Sequence, residues 1–171
     1  MAVIFAPEPG VLGLYTIGVT SGSIAATLAA LSPLFSFRWG STTRLCVPDF
    51  ISVGVSVNSV ITTSVSMPIE LVIARGFTAS DSVGTAIDLT TNNNKYRTSF
   101  ATSLVTDARI STTVLLTAGT RTLDAQAAAV IPCVTGTAIG NPLAMTTIYS
   151  RSSLFPIVLA QDEGLIIRNQ S

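Results

Sequence analysis

The run Ile51-Ser52-Val53-Gly54-Val55-Ser56-Val57 constrains this chain more than any other stretch of it. Apolar and small polar residues alternate there without a break. Period two puts every second side chain on one side of an extended backbone, so the run predicts a β-strand with one buried face and one face of hydroxyls and glycine. The same vocabulary fills much of the chain, where serine and threonine account for 42 of 171 residues. Val60 to Val65 continues it beyond Asn58-Ser59. Met67 to Arg75 predicts a second strand, with Pro68 at its start, where a missing N–H donor is tolerated. Ala108 to Leu116 predicts another, turned by Ala118-Gly119-Thr120. Ala127 to Val134 predicts a strand limited by Pro132. Phe155–Ala160, Gln161–Gly164 and Leu165–Arg168 predict a strand, a tight turn and a strand, with Asp162 and Glu163 as solvating residues at the tip. Residues 76–98 predict a long connection with turn segments at Thr78–Ser82 and Thr90–Lys95.

Short strands punctuated by turn signals, with no strand–helix alternation, define the fold class: all-β, an antiparallel β-sandwich or jelly roll. The length fits one domain, or one domain with an arm. No charged residue lies between Pro9 and Phe37. Even so, glycines, serines and threonines interrupt this stretch too often for a membrane span, and Glu8 stands where a signal peptide carries positive charge. The stretch reads as an N-terminal arm, residues 1–36, with a short Ala-rich helix from Gly22 to Leu31. A β domain follows over 37–171. Only Asn169-Gln170-Ser171 follow the last strand, which predicts a sheet edge open to another chain.

The chain has no histidine and one lysine, Lys95, with nine basic and nine acidic residues in all. Without histidine the usual general base and commonest metal ligand are missing, and a serine or threonine hydroxyl is a poor nucleophile until a base activates it. Lys95 sits in an Asn-rich turn, where a lysine is a solvated charge. Cys46 and Cys133 stand outside any CxxC pattern and read as small buried hydrophobes; their spacing neither supports nor excludes a disulfide. The turn at Asp81-Ser82-Val83-Gly84 lacks the alternating carboxylates of an EF-hand, and the glycines do not form a phosphate loop. These observations assign no catalytic, cofactor-binding or metal-binding residue. Zero net charge argues against nucleic acid as a main partner, and sparse charge favours assembly with protein partners. Eight arginines are spread along the chain. Arginine is enriched at interfaces through its bidentate fork, and it equally pairs within a domain, here with Asp49, Asp81, Asp88, Asp107 or Asp124. Arg121-Thr122-Leu123-Asp124 could pair within itself. Arg38, Arg44, Arg75, Arg97 and Arg168, with Trp39, are the candidate interface residues.

Several segments carry a resemblance. They are Phe37-Arg38-Trp39; Arg75-Gly76-Phe77-Thr78-Ala79-Ser80-Asp81, running on through Thr90–Ser99 to Ile110–Thr113 and Ala118–Gln126; and Pro156–Arg168. Over about residues 35–168 the chain resembles small virion proteins of tailed phages. The resemblance implies a jelly-roll cement or decoration protein at the capsid surface. It would be made in the host cytoplasm and bound to the major capsid protein as a dimer or trimer, with no enzymatic activity, no cofactor and no nucleic-acid or membrane partner. The arm would reach a neighbouring subunit. The alternatives are a tail-fibre or receptor-binding domain of the virion and, third, the shell protein itself. A depolymerase or esterase is the least favoured reading.

Overall fold

The computed structural model describes residues 13–24, 28–58, 65–89, 95–97, 100–135, 145–151 and 155–170. Every regular element among them is a β-strand, and every strand pairing is antiparallel. The main sheet runs β5 (Thr85–Ala86), β6 (Val105–Ile110), β1 (Pro33–Trp39), β11 (Glu163–Asn169), β4 (Ile69–Ala79) and β7 (Thr120–Leu123). β8 (Ala129–Ile131) also pairs with β4. Two ribbons complete the set: β2 (Phe50–Val53) with β10 (Thr146–Ser150), and β3 (Val65–Ser66) with β9 (Val134–Thr135). The antiparallel all-β sandwich expected from the turn-punctuated strands is the architecture formed.

One face of the main sheet packs the larger core. Phe37 and Trp39 of β1, Ile69 and Leu71 of β4, and Leu165 and Ile167 of β11 meet Ile51 and Val53 of β2 and Ile148 of β10. The register explains why these side chains share a face: Leu71 lies opposite Ile167, and Leu165 lies between Ile73 and Phe37. Burying each such side chain contributes about 1.5–3 kcal/mol, so this layer contact is the main stabilising term. The β2–β10 ribbon forms the second layer over it. The other face of the main sheet carries a smaller cluster, Ala74, Phe77 and Ile166 with Leu123 against it. Beside that cluster the cross-strand partners Glu70 and Arg168 pair at 2.7 Å, both largely buried.

Gly76 and Gly164 are among the positions where the backbone requires glycine. Gly76 interrupts the long strand β4 at φ 55°, a region that costs other L-residues about 1–2 kcal/mol. The β4–β7 register shifts between Arg75 and Ala79, so the kink at Gly76 lets one strand turn the corner of the sheet. Gly164 lies in the centre of the sheet, and a Cβ there would run into the Phe37 carbonyl oxygen and the Phe77 ring.

Several sequence expectations are corrected. β11 is not an edge: it pairs with β1 on one side and β4 on the other. Strand order across a sheet is a non-local property that position along the chain does not determine. The segment before β11 is not its hairpin partner either. Within 155–160 the pairing is a bridge from Leu159 to Cys46, with N···O distances of 2.9 and 2.8 Å in the two directions. The turn at 161–162 does form, with Asp162 at φ 56°. The helix expected over Gly22–Leu31 is absent from its described residues, 22–24 and 28–31. Tertiary bonds take precedence there. The Ser32 N–H donates to Asn169 Oδ1 at 2.8 Å, and Asn169 Nδ2 donates to the Ala29 carbonyl at 2.9 Å. A helix this short is marginal in water without packing to support it.

β1 begins at Pro33, so residues 33–36 belong to the sheet. Residues 13–24 lie along the body of the same chain. The Tyr96 N–H donates to the Leu14 carbonyl, Tyr15 Oη to the Ala101 carbonyl at 2.7 Å, and Asn58 Nδ2 to Ser23 Oγ at 3.1 Å. The strand expected at 51–57 is regular only to Val53, which pairs with Thr146 of β10. The strand expected at 108–116 runs instead from Val105 to Ile110, alongside β1. Two stretches expected to be irregular are extended: β4 continues to Ala79, and Thr120 opens β7. The strand expected at 60–64 and the turn at 90–94 lie outside the described residues.

Candidate interaction surface

Most of the arginines are held by carboxylates of their own chain. At one end of the main sheet the turn 161–162 brings β1, β4, β7 and β11 together. Arg38 reaches Asp162 Oδ1 and Ser80 Oγ, each at 3.3 Å. Arg75 binds Asp124 with two nitrogens, at 2.9 and 3.1 Å, and Glu163 with a third at 2.5 Å. These bonds to Asp124 and Glu163 raise the Arg75 pKa further. Glu163 also accepts the Ala160 N–H at 2.8 Å, and the Asp162 carbonyl accepts the Phe77 N–H at 2.7 Å. Asp162 and Glu163 are therefore ion-pair partners rather than solvating residues of a free tip. Arg121 is buried against Asp81 and lies 5.2 Å from the centre of the Phe77 ring. It does not pair with Asp124, which Arg75 occupies. Burial lowers the Arg121 pKa. Asp81 accepts the Gly119 N–H at 2.8 Å as well, which ties the loop before β7 to the end of β4.

The candidate interface residues thus divide. Arg38 and Arg75 meet on the 162–163 turn. Trp39 is buried and donates its indole N–H to the Arg44 carbonyl at 2.8 Å, so it shapes the loop rather than touching solvent. Arg168 is held inside the sheet by Glu70. Arg97 lies over the Phe100 ring, 6.0 Å from its centre, away from the others. Arg44, Arg75 and Arg97 are exposed. Arg109–Asp107 and Arg151–Asp49 are two further pairs. Cys46 and Cys133 are both free thiols belonging to the main core. Burial pushes the Cys46 thiol up to about 11 and raises Cys133 as well. Among the described residues no group of three or more His, Cys, Asp or Glu side chains is placed to hold a metal ion, and no helix is long and apolar enough to cross a membrane.

The surface that sequence reasoning missed is apolar. The Cys46–Leu159 bridge makes a short two-stranded ribbon whose inner side chains, Cys46 and Leu159, enter the core. Side chains on an extended backbone alternate between faces, so the neighbours of this pair face outward. Leu45 is 64% exposed, Val47 42% and Val158 43%. Phe155 is 86% exposed, and Phe50, at the start of β2, 62%. The Ile157 N–H donates to Tyr149 Oη at 2.8 Å, which sets the Phe155–Val158 segment beside β10 and hence beside β2. A shallow hollow lined by Ser41, Thr42, Arg44, Leu45, Ala160 and Gln161 adjoins it. The rest of the outer face of β2–β10 is hydroxylic, with Ser52 Oγ and Thr147 Oγ1 3.5 Å apart across the strands. Both Leu45-Cys46-Val47 and Phe155–Ala160 are unbroken or nearly unbroken apolar runs. Period two is invisible in such runs, so nothing in them told the inner residue from the outer ones.

No family model, no curated protein and no solved structure matches the chain.

Proposed function

We propose that this chain is a structural protein of a tailed-phage virion, a cement or decoration protein that binds the major capsid protein and stabilises the shell without catalysing a reaction. The observation that carries the reading is where the resembling segments meet. Phe37-Arg38-Trp39, Arg75–Asp81, Ala118–Gln126 and the Gln161–Gly164 turn are far apart in sequence, yet Arg38, Arg75, Asp81, Arg121, Asp124, Asp162 and Glu163 bind one another at one end of the sheet. What those segments have in common is a cross-braced platform. Their charged groups neutralise each other instead of facing a substrate.

The test is binding of the purified chain to phage heads lacking it. It should saturate at a fixed copy number per shell and raise the temperature at which the heads open. Attachment should change little between about 0.1 and 1 M salt, although the Debye length falls from about 10 to 3 Å over that range. Immunogold label on the tail would replace this reading with that of a tail-fibre or receptor-binding domain. A copy number equal to that of the shell lattice would make the chain the shell protein.

A further inference from the structure

We infer that two copies of this chain associate about a two-fold axis through the apolar ribbon formed by Leu45, Val47 and Val158 with Phe50 and Phe155. The inference does not depend on the virion reading, because it concerns the purified chain alone.

Area is the first argument. With a full aromatic side chain taken as about 150–250 Å² and Leu and Val as somewhat less, the five exposed side chains present roughly 500 Å² of apolar surface. That lies toward the upper end of the largest patch a monomer leaves open, about 300–600 Å². Two such patches facing each other remove about 1,000 Å² from water, the size at which specific contacts begin. The backbone of the ribbon is held from behind by the core through Cys46 and Leu159. Little of it has to be ordered on contact, which removes one of the main costs of association.

Charge is the second argument, and it selects a second copy as the occupant. The rim carries the exposed pair Arg151–Asp49, whose side chains are 54% and 56% exposed and 3.0 Å apart. The Arg151 N–H also donates to the Asp49 carbonyl at 2.8 Å, so the two charges stand at a fixed place where β10 meets the start of β2. The rim also holds the exposed Arg44 beside Leu45. The Arg151–Asp49 pair is the part of it that is complementary to itself under a two-fold rotation, because each arginine then meets the partner copy's aspartate.

Sedimentation equilibrium of the full chain tests this. The mean mass should rise from 17.7 kDa toward twice that value with a Kd on the order of micromolar, as befits an interface at the small end of the specific classes. Leu45→Ser and Phe155→Ser should each weaken association about tenfold or more, with far-ultraviolet circular dichroism and melting temperature unchanged because both side chains are already in water. Asp49→Arg and Arg151→Asp should each associate more weakly than the parent chain. An equimolar mixture of those two variants should recover dimer, since each copy then offers the charge the other needs. A chain that stays monomeric up to about 100 μM, far above that Kd, overturns the inference. So does association that Leu45→Ser and Phe155→Ser leave intact, or a mixture that recovers nothing. Saturable binding to heads by a chain that is monomeric alone would overturn it too, and would assign the ribbon to the shell while leaving the proposed function standing.

Discussion

Asn169 performs the most specific work of any single side chain. It is fully buried, and its amide joins the end of β11 to the segment before β1 by accepting from Ser32 N–H and donating to the Ala29 carbonyl. The backbone there includes Leu31 at φ 61°, a conformation that an apolar residue holds only when neighbours enforce it. Asn169→Ala removes the acceptor of the buried Ser32 N–H, while the Ala29 carbonyl keeps its bond from Ser32 Oγ at 2.7 Å. Leaving such a buried donor unsatisfied costs about 1–3 kcal/mol, and the variant should lose about that much stability. The urea midpoint should fall with an unchanged slope, since the fold and its buried area stay the same. A midpoint within error of the parent's would show that the 29–32 segment contributes nothing to the folded state. The sequence showed Asn169 only as one of three residues after the last strand.

At the scale of elements, β11 organises the molecule. It supplies Leu165 and Ile167 to one core and Ile166 to the other, and it is hydrogen-bonded along both sides. Amide exchange should therefore be slowest at Leu165, Ile166 and Ile167 and approach the rate set by global unfolding. Amides of the β2–β10 ribbon, paired on one side, should exchange through a smaller opening. Equal protection in both would contradict a central β11. The strands themselves were legible where β-branched residues are dense, as in 69–75 and 165–168, because that local chemistry suits an extended backbone wherever it is placed. β1 was not legible. Pro33 to Trp39 mixes Pro, Ser, Arg and aromatics because its two faces have different tasks: Phe37 and Trp39 enter the main core while Arg38 reaches the 162 turn. The ion-paired platform was partly legible: Asp81 and Asp124 were named as partners of the arginines, whereas Asp162 and Glu163 read as solvating residues of a turn and the pairing itself was not legible. Arg121 and Asp124 are near neighbours in sequence and bind different elements: Arg121 lies within β7 and meets Asp81, while Asp124 follows the strand and meets Arg75.

For the molecule as a whole, the absence of histidine sets its response to pH. No imidazole changes charge between about pH 5 and 8, so stability should be nearly flat across that range. The alkaline side differs. Burial raises the Cys46 thiol from 9.0 to about 11, because the thiolate would sit against the main core. The unfolded chain loses this proton at lower pH than the folded chain does. The stabilisation from keeping the thiol neutral is thus whole below about pH 9 and is lost as pH rises through about 11. Two pKa units correspond to about 2–3 kcal/mol. Guanidinium titrations at a series of pH values should show the midpoint constant to about pH 9, the ordinary thiol value, and falling beyond it. Cys46→Ala should start slightly less stable, because a small gap opens beside Leu159, and should lose less on going to pH 11 than the parent. The same burial slows chemistry at the sulfur, since the thiolate is the reactive form. At pH 8, alkylation of Cys46 in the folded protein should lag that in urea by about a hundredfold, the effect of two pKa units on the thiolate fraction. Alkylation at the unfolded rate would mean that the Cys46–Leu159 ribbon opens freely. A ribbon that opens could not present Leu45, Val47 and Val158 as a fixed surface, so this measurement on one thiol also bears on the contact proposed between copies.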